Sequence, residues 1–137
     1  MVTKQNNYAE FVKDNKILKS AVNGLYRFLV MWIIKYHKSI HGYAIMKELD
    51  RFFENLIDEG VIKKSNPSKI YPILAQMEDY GLISSRLKPH KDKEIKFYHI
   101  TEKGEFFLKY IFDRFILHEK NDQWKLIYED LSNDYSQ

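Results

Sequence analysis

Apolar residues recur at steps of three and four along 18–36, with Ala21, Val22, Leu25, Phe28, Leu29, Trp32 and Ile33 as the repeating set. That spacing predicts an amphipathic helix with this set on its inner face. Lys38-Ser39-Ile40-His41-Gly42 breaks the pattern. A second helix is expected over 43–53, with Ile45, Leu49, Phe52 and Phe53 inward and Lys47, Glu48, Asp50 and Arg51 outward. Gly60 interrupts the stretch beyond this helix. A third helix, 67–80, has the clearest start: Asn66 is a capping residue, and Pro67 suits a first position where a missing N–H costs nothing. Ile70, Ile73, Leu74 and Met77 form its apolar stripe, and Gly81 suits the left-handed position just past its end. Pro72 removes one helical hydrogen bond, a cost softened by its place in the first two turns.

The pattern then changes period. Segments 83–88 and 94–100 read as two strands joined by a polar tip at 89–93. Thr101 caps a long final helix carrying Phe107, Leu108, Ile111, Phe112, Phe115, Trp124 and Leu126. At the N-terminus, 1–17 is polar and forms either a short capping helix, with Tyr8, Phe11 and Val12 on one side, or a loose arm. Helix, helix, helix, hairpin, helix is the order of a winged helix-turn-helix, mostly α with a small β-hairpin. The expected division is an N-terminal extension at 1–17, the winged domain at 18–101, and a C-terminal dimerisation helix with an acidic tail at 102–137.

Composition narrows the function. An apolar content of 45% with 30% charged residues in 137 residues is the balance of one folded domain. Without cysteine, disulfides and thiolate metal sites are excluded. The longest unbroken apolar run, 28–34, falls short of a membrane span, and the N-terminus lacks a secretory pattern, so a cytoplasmic protein with no membrane partner is expected. A net charge of +3 says little alone, but its distribution is uneven. Segment 63–96 holds eight basic residues against four acids, whereas 119–137 holds five acids and two lysines. Positive charge sits where a helix-turn-helix would meet DNA.

That layout defines the candidate DNA contacts. On the third helix, Ser68, Pro72 and Ala75 oppose the apolar stripe, flanked by Lys69, Tyr71 and Gln76. Small and polar groups at the leading end let a helix enter the major groove. Lys69 suits a phosphate or guanine edge, Gln76 an adenine edge, and Ser68 and Tyr71 a phosphate. Lys63 and Lys64 precede the helix, and Tyr43 opens the second one. Arg86, Lys88, Lys91, Lys93 and Lys96, with His90, make a basic wing suited to backbone contact. An amphipathic surface helix and a lysine-protected edge hairpin are the plain alternatives. His37 and His41 have metal-like spacing, but Gly42 comes next and no third ligand is evident. No nucleotide loop or nucleophile motif occurs. Neither an enzyme nor a cofactor is expected.

Four motifs stand in register over 18–115: His41-Gly42-Tyr43; Ser68-Lys69-Ile70-Tyr71-Pro72; Glu78-Asp79-Tyr80-Gly81-Leu82; and Phe97-Tyr98-His99-Ile100-Thr101-Glu102-Lys103-Gly104. In these the chain resembles the PadR family of transcriptional regulators. That family's pattern has His-Gly-Tyr opening the second helix and a Gly-Thr-Leu-Tyr-Pro-like start to the recognition helix. A Glu-x-x-Gly-Leu-like exit and an aromatic-aromatic-x-Leu-Thr-x-x-Gly junction complete it. Ser68-Lys69 replaces the usual Gly-Thr, and His99 stands where arginine or lysine is usual. The resemblance implies a DNA-binding repressor that pairs through its C-terminal helix. Phe107, Leu108, Ile111, Phe112, Phe115 and Trp124 are the candidate dimer residues. It also implies an aromatic or hydrophobic effector, for which Trp32 and Trp124 are candidate pocket residues, although ordinary packing accounts for both. The rivals are a winged helix that docks proteins and an unspecific DNA-coating protein.

Overall fold

The computed structural model describes residues 9–116 and 122–134; Tyr8, 117–121 and 135–137 lie outside them. A short α1 (Ala9–Val12) leads into α2 (Lys16–His37). Asn15 starts α2 by accepting hydrogen bonds from the Ile17 and Leu18 amides at 2.9 and 3.1 Å. β1 (Ile40–His41), α3 (Gly42–Phe52) and α4 (Glu54–Asp58) come next, then α5 (Pro67–Asp79). β2 (Ile83–His90) and β3 (Lys93–Ile100) make the wing. α6 (Glu102–Ile111) passes into a π-helical stretch, Phe112–Ile116, and α7 (Asp122–Asp134) closes the described chain. Of the expected final helix, 102–116 is continuous and ends in the π-helical turn, 122–134 is helical, and 117–121 lie outside the described residues.

The core forms where α2 meets α3, β3 and α6, and where α5 closes over α3. Its centre is Tyr26, Val30, Ile33 and Ile34 of α2 with Ile45, Leu49, Ile70 and Leu74. This is not the α2 face expected from the sequence. Val22 and Ile33 are buried as expected, but Ala21, Leu25 and Trp32 are exposed. A helix apolar on more than one side offers two stripes of the same period, and its packing partners choose between them. Eighteen residues of α2 reach a mean hydropathy of 1.4, enough by length and composition to cross a membrane. Its buried side chains are instead the middle of this domain.

On α3 two residues reverse their expected sides. Phe52 is exposed, with Phe53 buried beyond the helix end, and Asp50 turns inward to accept bonds from the Ser65 amide and hydroxyl at 2.9 and 2.8 Å. The inward carboxylate satisfies the backbone of the turn ahead of α5, a demand that periodicity does not register.

The sheet also exceeds expectation. Ile40 and His41, read from sequence as a break, pair antiparallel with Tyr98 and Phe97, giving the strand order β1-β3-β2. The wing strands extend to His90 and Lys93, so the tip is only Lys91-Asp92, both with positive φ (48° and 65°). Two left-handed residues make the tight turn whose twist suits a hairpin. Pro89 fits because β2 is an edge strand.

Candidate nucleic-acid interface

α5 is held at both ends by bonds its sequence supplies. The Asn66 side chain accepts from the Lys69 amide at 3.1 Å, with Pro67 in the first turn. At the far end Gly81 takes φ 75°, its amide bonds the Glu78 carbonyl, and the Leu82 amide bonds that of Met77, both at 2.9 Å. This paired closure satisfies carbonyls that the helix end would otherwise leave open. Ile70, Ile73, Leu74 and Met77 are buried as expected, which leaves Ser68, Pro72, Ala75 and Asp79 exposed on the opposite side.

The flanks of α5 are tied to neighbours. On the α2 side the Lys69 ammonium sits 4.0 Å from the centre of the Tyr26 ring, and Gln76 Oε1 accepts from Arg27 Nε at 2.8 Å. Burial first, then the nearby Lys19, lowers the Lys69 pKa from its ordinary value. Tyr26 is shifted upward, by burial foremost, against an opposing hydrogen bond with Ser65. Gln76 is thus tied to α2 through its carbonyl oxygen while its side chain stays exposed. On the wing side Tyr71 lies against Gly42, where any Cβ would overlap its phenol. This packing ties the first motif to the second. Tyr43 and Tyr71 are both exposed and line, with His41, Leu87, His90 and Lys96, a concavity of about 500 Å³ between α3, α5 and the wing.

Register divides the basic wing residues between two faces. Arg86 pairs with Phe97, Lys88 with Ile95 and His90 with Lys93, so these share one face, while Lys96, opposite Leu87, is on the other. Lys96 reaches Glu78 of α5 at 3.9 Å, and Glu78 also accepts from the Ser85 hydroxyl at 2.8 Å. Lys88 donates to the Ser39 hydroxyl at 3.0 Å and lies over Phe97. Lys96 and Lys88 thus help dock the wing. The ion pairs among the described residues leave out Lys63, Lys64, Arg86, Lys91 and Lys93, all of them exposed. His41 stacks near His90 at 4.7 Å, and burial first, then His90 and Lys91, lowers its pKa. Burial, then Lys88 and Arg86, lowers that of His99, whose Nδ1 is buried with no partner among the described residues. Burial above all, with Glu78 and Tyr71 adding, pushes the Tyr98 phenol up to about 12.

The remaining motifs meet at the root of the wing. Thr101 caps α6, accepting from the Gly104 amide at 3.0 Å, and its hydroxyl donates to the Gly81 carbonyl at 2.6 Å. Lys103 donates to the Tyr80 carbonyl at 2.7 Å. Gly104 lies against the Leu82 carbonyl with no room for a side chain.

Of the candidate dimer residues, Leu108 is 5% exposed and belongs to the domain core, and Ile111 packs beside that core, so neither is on the outer face. Phe107, Phe112, Phe115 and Trp124 are exposed, joined by Phe106 and by Leu126, Ile127, Tyr128 and Leu131 of α7. Trp32 stacks on Tyr36 at 4.9 Å and meets Phe52 edge-on, in a groove lined with His37, Glu48 and Arg51.

Sequence reasoning missed Lys19 and Asp14, which join Lys63, Lys64 and Lys69 around one hollow. Lys19 and Tyr26 are seven apart on α2, but only the return of the chain at 60–69 gives that spacing a meaning.

Comparison with known proteins agrees with this architecture. No curated protein sequence matches the chain significantly. A PadR-like transcriptional regulator from Bacillus cereus is 24% identical, with 83% of this chain and 94% of that one covered and a TM-score of 0.54. For a PadR-like transcription factor from Bacteroides fragilis the values are 17%, 87%, 98% and 0.56. A transcriptional regulator from Clostridium thermocellum gives 18%, 86%, 96% and 0.55. These are likenesses of fold. The family model described as the transcriptional regulator PadR-like family matches residues 30–110, more than half the chain. The chain belongs to that family.

Proposed function

We propose that this DNA-binding regulator, which is not an enzyme, acts as a cytoplasmic homodimeric repressor whose α5 enters the major groove while its wing holds adjacent phosphates. One observation supports the reading: the exposed side of α5, with Ser68, Pro72 and Ala75, is accompanied by exposed basic residues just before the helix and on the wing. Lys63 and Lys64 precede the helix, and Arg86, Lys91 and Lys93 stand on the wing. Helix leading ends and basic hairpins are what duplex DNA accepts. Pairing is supported by the exposed aromatic run of Phe106, Phe107, Phe112 and Phe115 and by the apolar residues of α7, since lone domains rarely expose so much contiguous apolar surface.

Selection of bound sequences from a random duplex pool at near-physiological salt tests the reading. An enriched inverted repeat, with half-sites about one helical turn apart, is the expected result. Salt-sensitive binding without enrichment indicates a coating protein, and no binding moves the domain to protein partners. Lys69→Ala should weaken binding and flatten sequence preference, because the wild-type ammonium can leave Tyr26 for a base edge. Unchanged affinity and preference would remove Lys69 from the interface.

A further inference from the structure

We propose that the hollow between the start of α2 and the start of α5 is a phosphate-binding site. It encloses about 360 Å³ and is lined by Lys19, Lys63, Lys64 and Lys69, with Asp14 as the only acid. Three stretches of chain supply these groups, so the convergence belongs to the fold. Asn66 and Lys69, at the start of the 13-residue α5, also line it, near the positive end of the helix dipole. Lys69 is already half-withdrawn from water over Tyr26. Against the four lysines, the lining holds one carboxylate, that of the exposed Asp14, which bonds Lys19 at 3.0 Å, while nearby Asp50 is engaged with the Ser65 amide and hydroxyl. Lys19 foremost, and Lys63 more weakly, favour the charged form of Asp14.

A tetrahedral phosphate group, with several acceptor oxygens around one centre, can engage more of these ammonium groups at once than a single carboxylate. The same chemistry has two sources, a phosphate of the DNA backbone or a free phosphorylated small molecule. The first rests on the DNA reading above and would anchor the duplex on the side of α5 away from the wing. The second does not depend on it.

The test uses the full chain, inorganic phosphate and a mixed-sequence duplex. Phosphate should shift the amide resonances of 63–69, Lys19→Gln should abolish the shift, and Asp14→Asn should tighten phosphate binding severalfold. Opposite effects of these two exposed changes separate a site from general instability. If the phosphate is DNA's, Lys19→Gln lowers the slope of log K against log salt by about 0.9. Lys35→Gln, an exposed lysine farther along α2, leaves that slope unchanged. A phosphate response with an unaltered DNA slope assigns the site to a free phosphorylated ligand. A wild type that binds no duplex but retains the phosphate response fails the DNA reading and keeps the site. Absence of both the amide shifts and the slope change overturns the proposal, as does a weakening of phosphate binding by Asp14→Asn.

Discussion

Gly104→Ala separates two effects of the same methyl group. Gly104 lies in the first turn of α6, directly against the Leu82 carbonyl at the root of the wing. An added Cβ would overlap that oxygen, come within 3.0 Å of the Leu82 carbonyl carbon and 2.9 Å of Ile100 Cδ1. Ile100 can turn aside. The Leu82 carbonyl cannot, because it is backbone held by the Thr101 amide, from which it accepts at 3.1 Å. Relief therefore needs α6 to move as a unit. Overpacking of this kind costs about 1–3 kcal/mol. Alanine returns about 1 kcal/mol of helix preference, so the net change runs from about zero to a loss of roughly 2 kcal/mol. For a chain of this size the upper end lowers Tm by roughly 10 °C. Gly24→Ala is the matched control: Gly24 is within α2 with nothing inside 4 Å of its Cβ position, so the same change should stabilise by about 0.5–1 kcal/mol. Urea and thermal unfolding of both variants supply the numbers. A Gly104→Ala protein stabilised as much as Gly24→Ala would refute the claim that close approach, rather than backbone freedom, requires glycine there.

Three further outcomes rest on the same geometry. Gly42→Ala meets only the far end of Tyr71, so stability should change by no more than about 1 kcal/mol while the phenol is displaced. If Tyr71 donates to a phosphate, duplex affinity measured by anisotropy falls about fivefold, the worth of one hydrogen bond of about 1 kcal/mol. Tyr71→Phe should match that loss, and no loss in either variant takes Tyr71 off the DNA. Asp50→Ala removes both bonds to Ser65 and should cost about 2 kcal/mol by urea unfolding. Ser65→Ala keeps the amide bond and should cost less; equal costs would put the energy in the hydroxyl alone. Finally, His41 and His99 both sit below the ordinary 6.5 in the folded protein, chiefly through burial. The unfolded chain then binds more protons just below pH 6.5, so stability is full above that pH and declines as pH falls through it. His41→Gln and His99→Gln should each flatten the decline, and a profile unchanged in both would assign it elsewhere.

The helices of the winged domain, the hairpin and the caps were legible in the sequence because each is specified locally. Asn66-Pro67, Gly81 and Thr101 act within four residues of their own positions, and the stripe of α5 has one apolar side only. The motifs were legible as spacing, but their reason was not. Gly42 answers to Tyr71, and Gly104 to Leu82, across turns of chain that periodicity does not measure. The expected faces failed where the pattern is degenerate. α2 is apolar on two sides, so only its neighbours bury Tyr26 and Val30 and leave Leu25 and Trp32 out.

The candidate interface divides in the same way. That basic residues gather on 63–96 is a property of the sequence. Which of them stay available is decided in three dimensions: Lys96 pairs with Glu78, Lys88 reaches Ser39, Lys69 lies over Tyr26, and Gln76 bonds Arg27. Lys19 and Asp14 join the phosphate hollow only because 60–69 folds back along α2. Local propensity and spacing set the elements, since they act over a few bonds. Partner choice for each charged group needs distances between segments far apart in sequence, and those distances exist only once the core has closed.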